Sequence, residues 1–401
     1  GKITFSAIPS TTDLTGLGAF ENITELELFY GSFTQVDLSK NTLLTKLTIK
    51  LTMLPSIDLS ANTILEDVYC EKNDSLTSLD VSNCNVLRRL YCRYNDLSTI
   101  TLPQSSTLTS ILCKDNQLTT IDLSSAPNLS TFDGDLNQFN TIDFSNNTEL
   151  SIVKISSNPI QSIDLSKNSK LSSFNCSSCG LSNIDFTSNL ELSSLTLSRN
   201  DLATIDLSKN ALLRSFTGIF NDFETLDLSG AQALVSINLA ECEMKHIDVS
   251  MLPNLQSFNI AANPVTTVNI ANGENDKINT FRAVSCPSLT CIQVDDTTYS
   301  QSNWKLIDST ISKYKLKCET SSVGINDIKT SFDFFPNPTY NHLNSDEFIG
   351  QEISIYNLMG DEVINIISST NKLDVSDLAS GTYTLRIFSK SGIGYAKFLK
   401  Q

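Results

Sequence analysis

The sequence predicts a mainly β protein: a solenoid of about 12 coils of 21 residues with two parallel sheets, followed by a small C-terminal β-sandwich. Three observations predict this fold. Apolar and polar residues alternate within each repeat, as they do in strands. The last 70 or so residues lose the repeat and read as short strands between turns. Above all, one leucine slot returns every 21 residues, at Leu87, Leu108, Leu129, Leu150, Leu171, Leu192, Leu213, Leu234 and Leu255.

Each repeat consists of two half-repeats, and each half predicts one strand. The first half reads L-x-x-L-x-L/C-x-x-N, as in Leu87, Leu90, Cys92 and Asn95, and the second reads L-x-x-I-D-L-S-x-N, as in 160–168. Only about five residues separate the strands, which is too short for a useful helix. We therefore expect strand, turn, strand and turn in each coil, with stacked strands about 4.8 Å apart.

The ends of a solenoid need caps, because the first and last coils would otherwise expose apolar surface. The change of pattern along the chain predicts five segments. They are an N-terminal cap at 1–22, the solenoid at 23–285, a C-terminal cap at 286–320, a linker at 321–330 and the β-sandwich at 331–401.

Two further slots are mostly asparagine, and asparagine can both donate to and accept from backbone groups at a turn. We expect each set to form a ladder where the chain leaves a strand. The first ladder is Asn73, Asn95, Asn116, Asn137, Asn158, Asn200, Asn221 and Asn263, and the second is Asn41, Asn62, Asn147, Asn168, Asn189 and Asn210.

The bulk composition excludes several classes of function. The net charge is −16, which argues against a nucleic acid or an anionic membrane as partner. No run of about 18 apolar residues predicts a transmembrane helix, and no signal peptide is visible. The two histidines, His246 and His342, lie in different predicted domains, and no metalloprotease, phosphate-loop or nucleophile-elbow motif occurs. We expect no catalytic residues, no cofactor and no metal.

Eight of the ten cysteines occupy repeat slots, so we interpret them as buried free thiols that pack as small apolar residues. This set is Cys70, Cys84, Cys92, Cys113, Cys176, Cys179, Cys242 and Cys286. Zinc binding or redox chemistry at the single C-x-x-C of Cys176 and Cys179 is not expected. Cys291 and Cys318 lie outside the repeat and are a candidate disulfide, the alternative being two free thiols in the cap.

The half-repeats carry a family resemblance. The line L-x-x-L-x-L/C-x-x-N-x-L resembles the leucine-rich repeat, and the IDLSKN half resembles the cysteine- and asparagine-rich subclass found in surface proteins of the Bacteroidetes. The resemblance implies a curved solenoid that binds partners, usually on its concave sheet, which we assign to the first half-repeats.

The C-terminal segment resembles the sorting domain of the type IX (Por) secretion system. The residues that carry this likeness are Pro336, Asn337, Pro338, Gly360, Leu378, Gly381, Tyr383 and Lys397. The resemblance implies recognition by the type IX machinery and a location outside the cell or on the outer surface of a Gram-negative bacterium.

One outward slot of the second half-repeats is aspartate in nearly every coil. Its members are Asp37, Asp58, Asp80, Asp122, Asp143, Asp164, Asp185, Asp206, Asp227 and Asp248. One interpretation is a row of calcium sites, because calcium prefers carboxylate oxygens. The other is local hydrogen bonding, and we favour it because single carboxylates do not supply the six to eight oxygens that calcium takes.

The outward slots of the first half-repeats vary between coils, and aromatic and arginine residues concentrate in the N-terminal coils. Such residues are over-represented at binding hot spots. The candidate partner-binding residues are Phe29, Tyr69, Tyr91, Arg93, Tyr94, Leu112, Lys114, Asp133 and Lys154. The alternative is aromatic packing between strands of a solvated sheet.

These observations favour a secreted or cell-surface protein that binds a protein or glycan partner in the manner of an adhesin. The alternative is a structural spacer without a specific ligand. Catalysis is not expected.

Overall fold

The computed structural model describes residues 1–6, 14–304, 306–307, 313–318, 334–357, 362–389 and 392–401. The chain divides into two compact units, Gly1–Cys318 and Glu319–Gln401. The predicted linker at 321–330 and the sorting-motif residue Gly360 lie outside the described residues.

The first half-repeats form one parallel sheet, here called the first sheet. Each strand pairs with the equivalent residues one coil later, as Ser173 pairs with Ser194. The sheet has 15 strands: Lys2–Ser6, Glu25–Gly31, Lys46–Thr52, Asp67–Glu71, Arg89–Tyr91, Ser110–Leu112, Thr131–Asp133, Ile152–Lys154, Ser173–Asn175, Ser194–Thr196, Ser215–Thr217, Ser236–Asn238, Ser257–Asn259, Thr280–Ala283 and Leu306–Ile307.

The first sheet is longer than the predicted 12 coils because both segments predicted as caps contribute strands. Lys2–Ser6 pairs in parallel with Glu25–Gly31, and Ile3 and Phe5 pack against the core as inward strand residues do. The N-terminal cap segment is therefore partly an additional coil. A 3₁₀ helix, Thr15–Ala19, follows it.

The second half-repeats form less sheet than predicted. Their strands are Ser78–Asp80 with Thr99–Thr101, and His246–Asp248, Thr267–Asn269, Cys291–Gln293 and Lys313–Lys315. In residues 102–245, all of which are described, the second half-repeats contain no strand.

Whether a second half-repeat pairs with the next coil depends on the residue after the aspartate slot. Where strands form, Val81, Val249, Ile270 and Val294 donate their N–H to the next coil. These residues are β-branched and favour extended backbone, whereas the intervening coils have leucine or phenylalanine there.

The far end of the first unit is closed by the helix Thr297–Asn303. Asp296 caps it by accepting the N–H groups of Thr298 and Tyr299. Trp304 follows, 3% exposed, and its indole N–H donates to the Ile278 carbonyl at 3.0 Å. The last apolar layer is thereby covered. A 3₁₀ helix at Asn275–Lys277 lies in the preceding coil.

Both asparagine ladders are buried and bond to the backbone as predicted, but they differ in how fully they are used. In the first ladder, Asn116 donates to the carbonyls of Cys92 and Cys113 at 2.9 Å, and its Oδ1 accepts the Leu97 N–H at 3.0 Å. In the second ladder, Asn168 also donates twice, but its buried Oδ1 has no partner among the described residues.

A left-handed residue lies near the end of the strand or shortly after it in 13 successive coils, and none of the 13 is glycine. This conformation costs roughly 1–2 kcal/mol in an L-residue. The coil-to-coil hydrogen bond offsets part of that cost, because the Tyr94 N–H, for example, donates to the Lys114 carbonyl at 2.9 Å. The set is Tyr30, Leu51, Lys72, Tyr94, Asp115, Leu136, Ser157, Ser178, Arg199, Phe220, Glu241, Ala262 and Ser285.

The second unit contains an antiparallel sheet of four strands in the order Glu362–Ile367, Glu352–Tyr356, Gly381–Ser389 and Gly392–Lys400. A two-stranded pair, His342–Asn344 and Lys372–Asp374, and a 3₁₀ helix, Asp346–Phe348, complete its regular elements. A separate apolar cluster that includes Leu343, Phe348, Leu385 and Phe398 forms its core.

Candidate binding face

The N-terminal part of the first sheet has an outward surface that combines tyrosine with charge, which we call the N-terminal face. It consists of the outward residues of four consecutive coils: Lys46, Thr48, Lys50, Asp67, Tyr69, Glu71, Arg89, Tyr91, Arg93, Ser110, Leu112 and Lys114. They alternate with core residues such as Leu90 and Cys92, which are fully buried. The strand period therefore fixes which side chains share this surface.

Tyr69 and Tyr91 lie side by side at the centre of the N-terminal face. Their ring centroids are 5.0 Å apart at an interplanar angle of 78°, an edge-to-face contact. Both side chains are half-buried, and their hydroxyl groups make no hydrogen bond within the described residues. Lys46 lies over the Tyr69 ring at 5.7 Å and Arg93 over the Tyr91 ring at 5.9 Å. The pair offers apolar edges and two available hydroxyls.

Ion pairs between adjacent coils flank the two tyrosines. On one side, Arg89 donates two hydrogen bonds, of 2.5 and 2.6 Å, to the carboxylate of Asp67. On the other, Glu71 lies between Lys50 at 2.6 Å and Arg93 at 2.7 Å. All five charged groups are already paired within the protein. They therefore stabilise the surface rather than offer charge to a ligand.

The shift in the pKa of Glu71 agrees with these ion pairs. Burial works to raise the pKa of this carboxyl, but the hydrogen bonds from Lys50 and Arg93 outweigh burial and lower it. Burial likewise raises the pKa of the Tyr69 hydroxyl, which therefore stays protonated at neutral pH.

The predicted site residues do not form one cluster. Tyr69, Tyr91, Leu112, Asp133 and Lys154 occupy one row, because each is paired in register with the next. Phe29 is half-buried on Glu25–Gly31, one coil before the N-terminal face. Lys114 approaches Asp135 at 3.8 Å, and Lys154 is exposed.

Tyr94 belongs to a different surface, since its backbone is left-handed with φ of 59° and it follows the strand. It lines a cavity of about 560 Å³ at the strand ends, here called the edge groove. The groove is lined by Leu51, Lys72, Asp74, Tyr94, Asn95, Asp96 and Asp115.

Sequence reasoning missed the partners that position the two tyrosines, namely Lys50, Asp67, Glu71 and Arg89. A signal was present: residues one repeat apart, such as Asp67 and Arg89, carry opposite charge. Leu51, Lys72, Asp74 and Asp96 were also missed, because nothing local marks a groove formed by four coils.

The same surface carries no charged residue from Ser173 to Ala261, before Arg282 in the next coil, and we call this part the C-terminal face. It covers five coils, and its members are Ser173, Asn175, Ser177, Ser194, Thr196, Ser198, Ser215, Thr217, Ile219, Ser236, Asn238, Ala240, Ser257, Asn259 and Ala261. No aromatic side chain occurs among these described positions.

The aspartate row of the second half-repeats forms local turns. In all ten members the carboxylate accepts the backbone N–H two residues later, as Asp164 does from Ser166 at 2.8 Å. Hydrogen bonds donated by Ser166 lower the pKa of Asp164. Among the described residues, no three His, Cys, Asp or Glu side chains are grouped to hold a metal. Each carboxylate of the row therefore has a structural role in its turn.

The cysteines follow the predicted pattern with one correction. Cys176 and Cys179 form a disulfide, so two of the eight repeat cysteines are not free thiols. Among the eight, only these two fall in the same half-repeat, one in its inward slot and one in its turn slot. The other six are buried and form no disulfide. Burial raises the pKa of the Cys70 thiol to about 12. Cys291 and Cys318 are joined by a disulfide across the C-terminal cap.

In the second unit, several sorting-motif residues have structural roles. Asn337 bonds to the last strand twice: its amide donates to the Lys397 carbonyl at 3.1 Å, and its Oδ1 accepts the Leu399 N–H at 3.0 Å. Tyr383 stacks on Phe398 at 5.6 Å and donates its hydroxyl to a backbone carbonyl.

The remaining described motif residues lie around the same sheet. Leu378 packs against the apolar cluster, and Gly381 begins the strand that pairs with the last one. Pro336 and Pro338 flank Asn337.

Comparison with known proteins agrees with the division into two units. Residues 333–401 match the secretion system C-terminal sorting domain. No curated protein matches the chain. Within the described part of the chain, no helix is both long and apolar enough to cross a membrane.

Solved structures similar to this chain are leucine-rich-repeat proteins. The functional domain of InlJ from Listeria monocytogenes, which includes a cysteine ladder, is 21% identical with a TM-score of 0.54, over 100% of this chain and 90% of that one. The PEPR1–AtPEP1 structure is 18% identical with a TM-score of 0.54, over 74% of this chain and 49% of that one. The leucine-rich-repeat protein LIC12759 of Leptospira interrogans is 15% identical with a TM-score of 0.48, over 73% and 89%. The chain is thus a leucine-rich-repeat solenoid with a type IX secretion sorting domain at its C-terminal end.

Proposed function

We propose that this exported protein binds a partner protein on the N-terminal face, with Tyr69 and Tyr91 at the centre of the contact. The observation that carries the proposal is the edge-to-face tyrosine pair, half-exposed and with both hydroxyls available. Tyrosine presents a large rigid surface and loses little conformational entropy on binding.

The surroundings of the pair support binding because they are already rigid. The ion pairs of Asp67 with Arg89 and of Glu71 with Arg93 hold neighbouring side chains before any partner arrives. A preorganised surface pays less entropy on association. Arg93 therefore acts by positioning Tyr91, and Lys114, Asp133 and Lys154 form the polar rim.

The finer expectations belong to the same proposal. The sorting domain supports release to, or attachment at, the outer surface of a Gram-negative bacterium. There the face would serve adhesion to a protein, with a glycan as the other class of partner. We propose no catalytic activity.

The test is a binding screen of the full chain against arrays of secreted and cell-surface proteins and of glycans. The Tyr69→Ala/Tyr91→Ala variant should weaken a specific hit by at least about 30-fold, which corresponds to roughly 2 kcal/mol at a hot spot. The matched control is Thr196→Ala/Thr217→Ala, two residues of the same row on the C-terminal face. Equal loss in both variants would contradict the proposal.

The second candidate function is that of a spacer, and one observation favours it for part of the molecule. The five coils of the C-terminal face are uniform and uncharged, and a spacer requires only such repetition. A specific hit that survives the double tyrosine variant, or no hit on either array, would favour the spacer for the whole solenoid.

A further inference from the structure

We propose that the edge groove receives a basic side chain, preferably arginine, from an extended peptide segment of the partner. This inference rests on the proposed function, because it specifies the chemistry of the partner that lies across the N-terminal face. The groove and the face share the same coils, so one partner can contact both.

The groove has apolar walls that are open to solvent. Leu51 is 41% exposed and Tyr94 is 39% exposed, and both line the cavity. A volume of about 560 Å³ lies within the range of sites that bind small ligands. It can therefore accommodate the stem and head of a long side chain.

The charge of the groove is not neutralised, in contrast to that of the face beside it. Asp74, Asp96 and Asp115 are exposed, and within the described residues their carboxylates form no ion pair and accept no hydrogen bond. With Lys72 as the only lining cation, three negative charges and one positive charge leave −2. On the face, Glu71 is already held by two cations.

The protein itself shows that the groove accommodates a cation. The Lys72 ammonium lies 5.7 Å from the centroid of the Tyr94 ring, in the position of a cation–π contact. An incoming guanidinium can use the same ring and pair with the carboxylates that Lys72 leaves unengaged. Arginine is preferred over lysine because its planar group both stacks on rings and bonds carboxylates in a bidentate manner.

The groove follows the direction in which the coils stack. Leu51, Lys72, Tyr94 and Asp115 come from four successive coils at spacings of about 4.8 Å. An extended peptide places alternate side chains on one side, so arginines at alternate positions would all face the groove and meet its carboxylates. The net charge of −16 would steer such a segment toward the protein.

The test uses the full chain and a fluorescent peptide, acetyl-Arg-Leu-Arg-Leu-Arg-amide, followed by anisotropy at low salt. The matched peptide acetyl-Glu-Leu-Glu-Leu-Glu-amide should not bind. Asp96→Asn/Asp115→Asn should weaken binding of the arginine peptide about tenfold, because two charge pairs are lost. Tyr94→Leu should weaken it about threefold, since the apolar wall remains but the ring is lost.

The control variant is Asp201→Asn, which changes the slot of Asp96 in a later coil. It should leave binding unchanged. If Asp201→Asn weakens binding as much as Asp96→Asn/Asp115→Asn, or if neither does, the groove is not the site and the inference is overturned.

The two proposals can fail separately. If the groove variant leaves an array partner bound while Tyr69→Ala/Tyr91→Ala releases it, the N-terminal face stands and the groove is wrong. If the groove variant loses the arginine peptide while the double tyrosine variant keeps every partner, the groove stands and the face is wrong.

Discussion

The N-terminal and C-terminal faces of the first sheet share one strand arrangement and differ most in what they present to solvent. Coils on either side of Ser173 pair in the same parallel register, bury apolar residues in the same inward slots and carry the first asparagine ladder, in which Cys179 and Cys242 replace asparagine in two later coils. One face carries tyrosines and paired charges, and the other carries serine, threonine and asparagine. In a solenoid each coil contacts only its neighbours, so outward residues can change along the axis without altering the scaffold.

Stability depends on the inward and ladder slots of the repeat, whereas the recognition we propose uses its outward slots. Inward leucines and ladder asparagines recur because every coil must bury the same surface. The row of Tyr69 and Tyr91 is free of that constraint, so its residues can vary from coil to coil without disturbing the core.

The largest expected effect tests whether the scaffold is uniform beneath the two faces. Asn116→Ala and Asn221→Ala should each lower the free energy of unfolding by about 2–3 kcal/mol, because each removes three buried hydrogen bonds. Urea unfolding of the full chain followed by circular dichroism measures this. A large difference between the two variants would show that the scaffold is not uniform beneath the two faces.

A control for this prediction comes from the second ladder. Asn168→Ala should cost only about 1 kcal/mol, because its Oδ1 has no partner among the described residues and two donated bonds are lost. The chain itself places Ala126 and Ala231 in this slot.

The next effect compares a charged residue of the N-terminal face with an uncharged residue of the C-terminal face. Glu71→Gln should lower the free energy of unfolding by about 2 kcal/mol at pH 7, because Lys50 and Arg93 lose their common carboxylate. Ser198→Ala changes the same column on the C-terminal face and should stay within about 0.5 kcal/mol.

The pH dependence of this effect has a definite sign. The folded pKa of Glu71 lies below its unfolded value of about 4.3, so its contribution is present above that pH and is lost as pH falls through the folded pKa. The difference between wild type and Glu71→Gln should therefore shrink in acid. A difference that stays constant down to pH 3 would show that charge is not the cause.

The smallest expected effect concerns Asp135, which lies between the two faces. Its pKa is shifted in the opposite direction to that of Glu71. Burial first, and then the neighbouring Asp133, raise the pKa of this carboxyl despite its hydrogen bond from Ser156. Ionisation of Asp135 therefore lowers the free energy of unfolding as the pH rises through about 4 and above. Asp135→Asn keeps the acceptor and should raise the free energy of unfolding by about 0.5 kcal/mol at pH 7, with no gain at pH 3, measured by thermal unfolding.

Sequence reasoning succeeded where the pattern is periodic. The leucine slots, the strands of the first sheet and both asparagine ladders were predicted, because burial in one coil repeats in the next. It overestimated the second sheet, in which a coil pairs with the next one only where a β-branched residue such as Val81 follows the aspartate slot, and not where leucine stands there as at Leu123.

The candidate site was predicted only in part. The tyrosine row was visible because its members recur in one slot. The separation of Tyr94 from that row was not, since it depends on a left-handed backbone at a residue that is not glycine. The pairing of Arg93 with Glu71 was missed because it joins residues in different coils.

The sequence alone determined that this protein is a stacked solenoid with a sorting domain, because a fixed period of buried residues permits few other solutions. Only the tertiary structure decided which charges neutralise one another, which cysteines meet and which side chains form a groove. Those outcomes depend on distances between coils and on backbone angles, and local residue patterns encode neither.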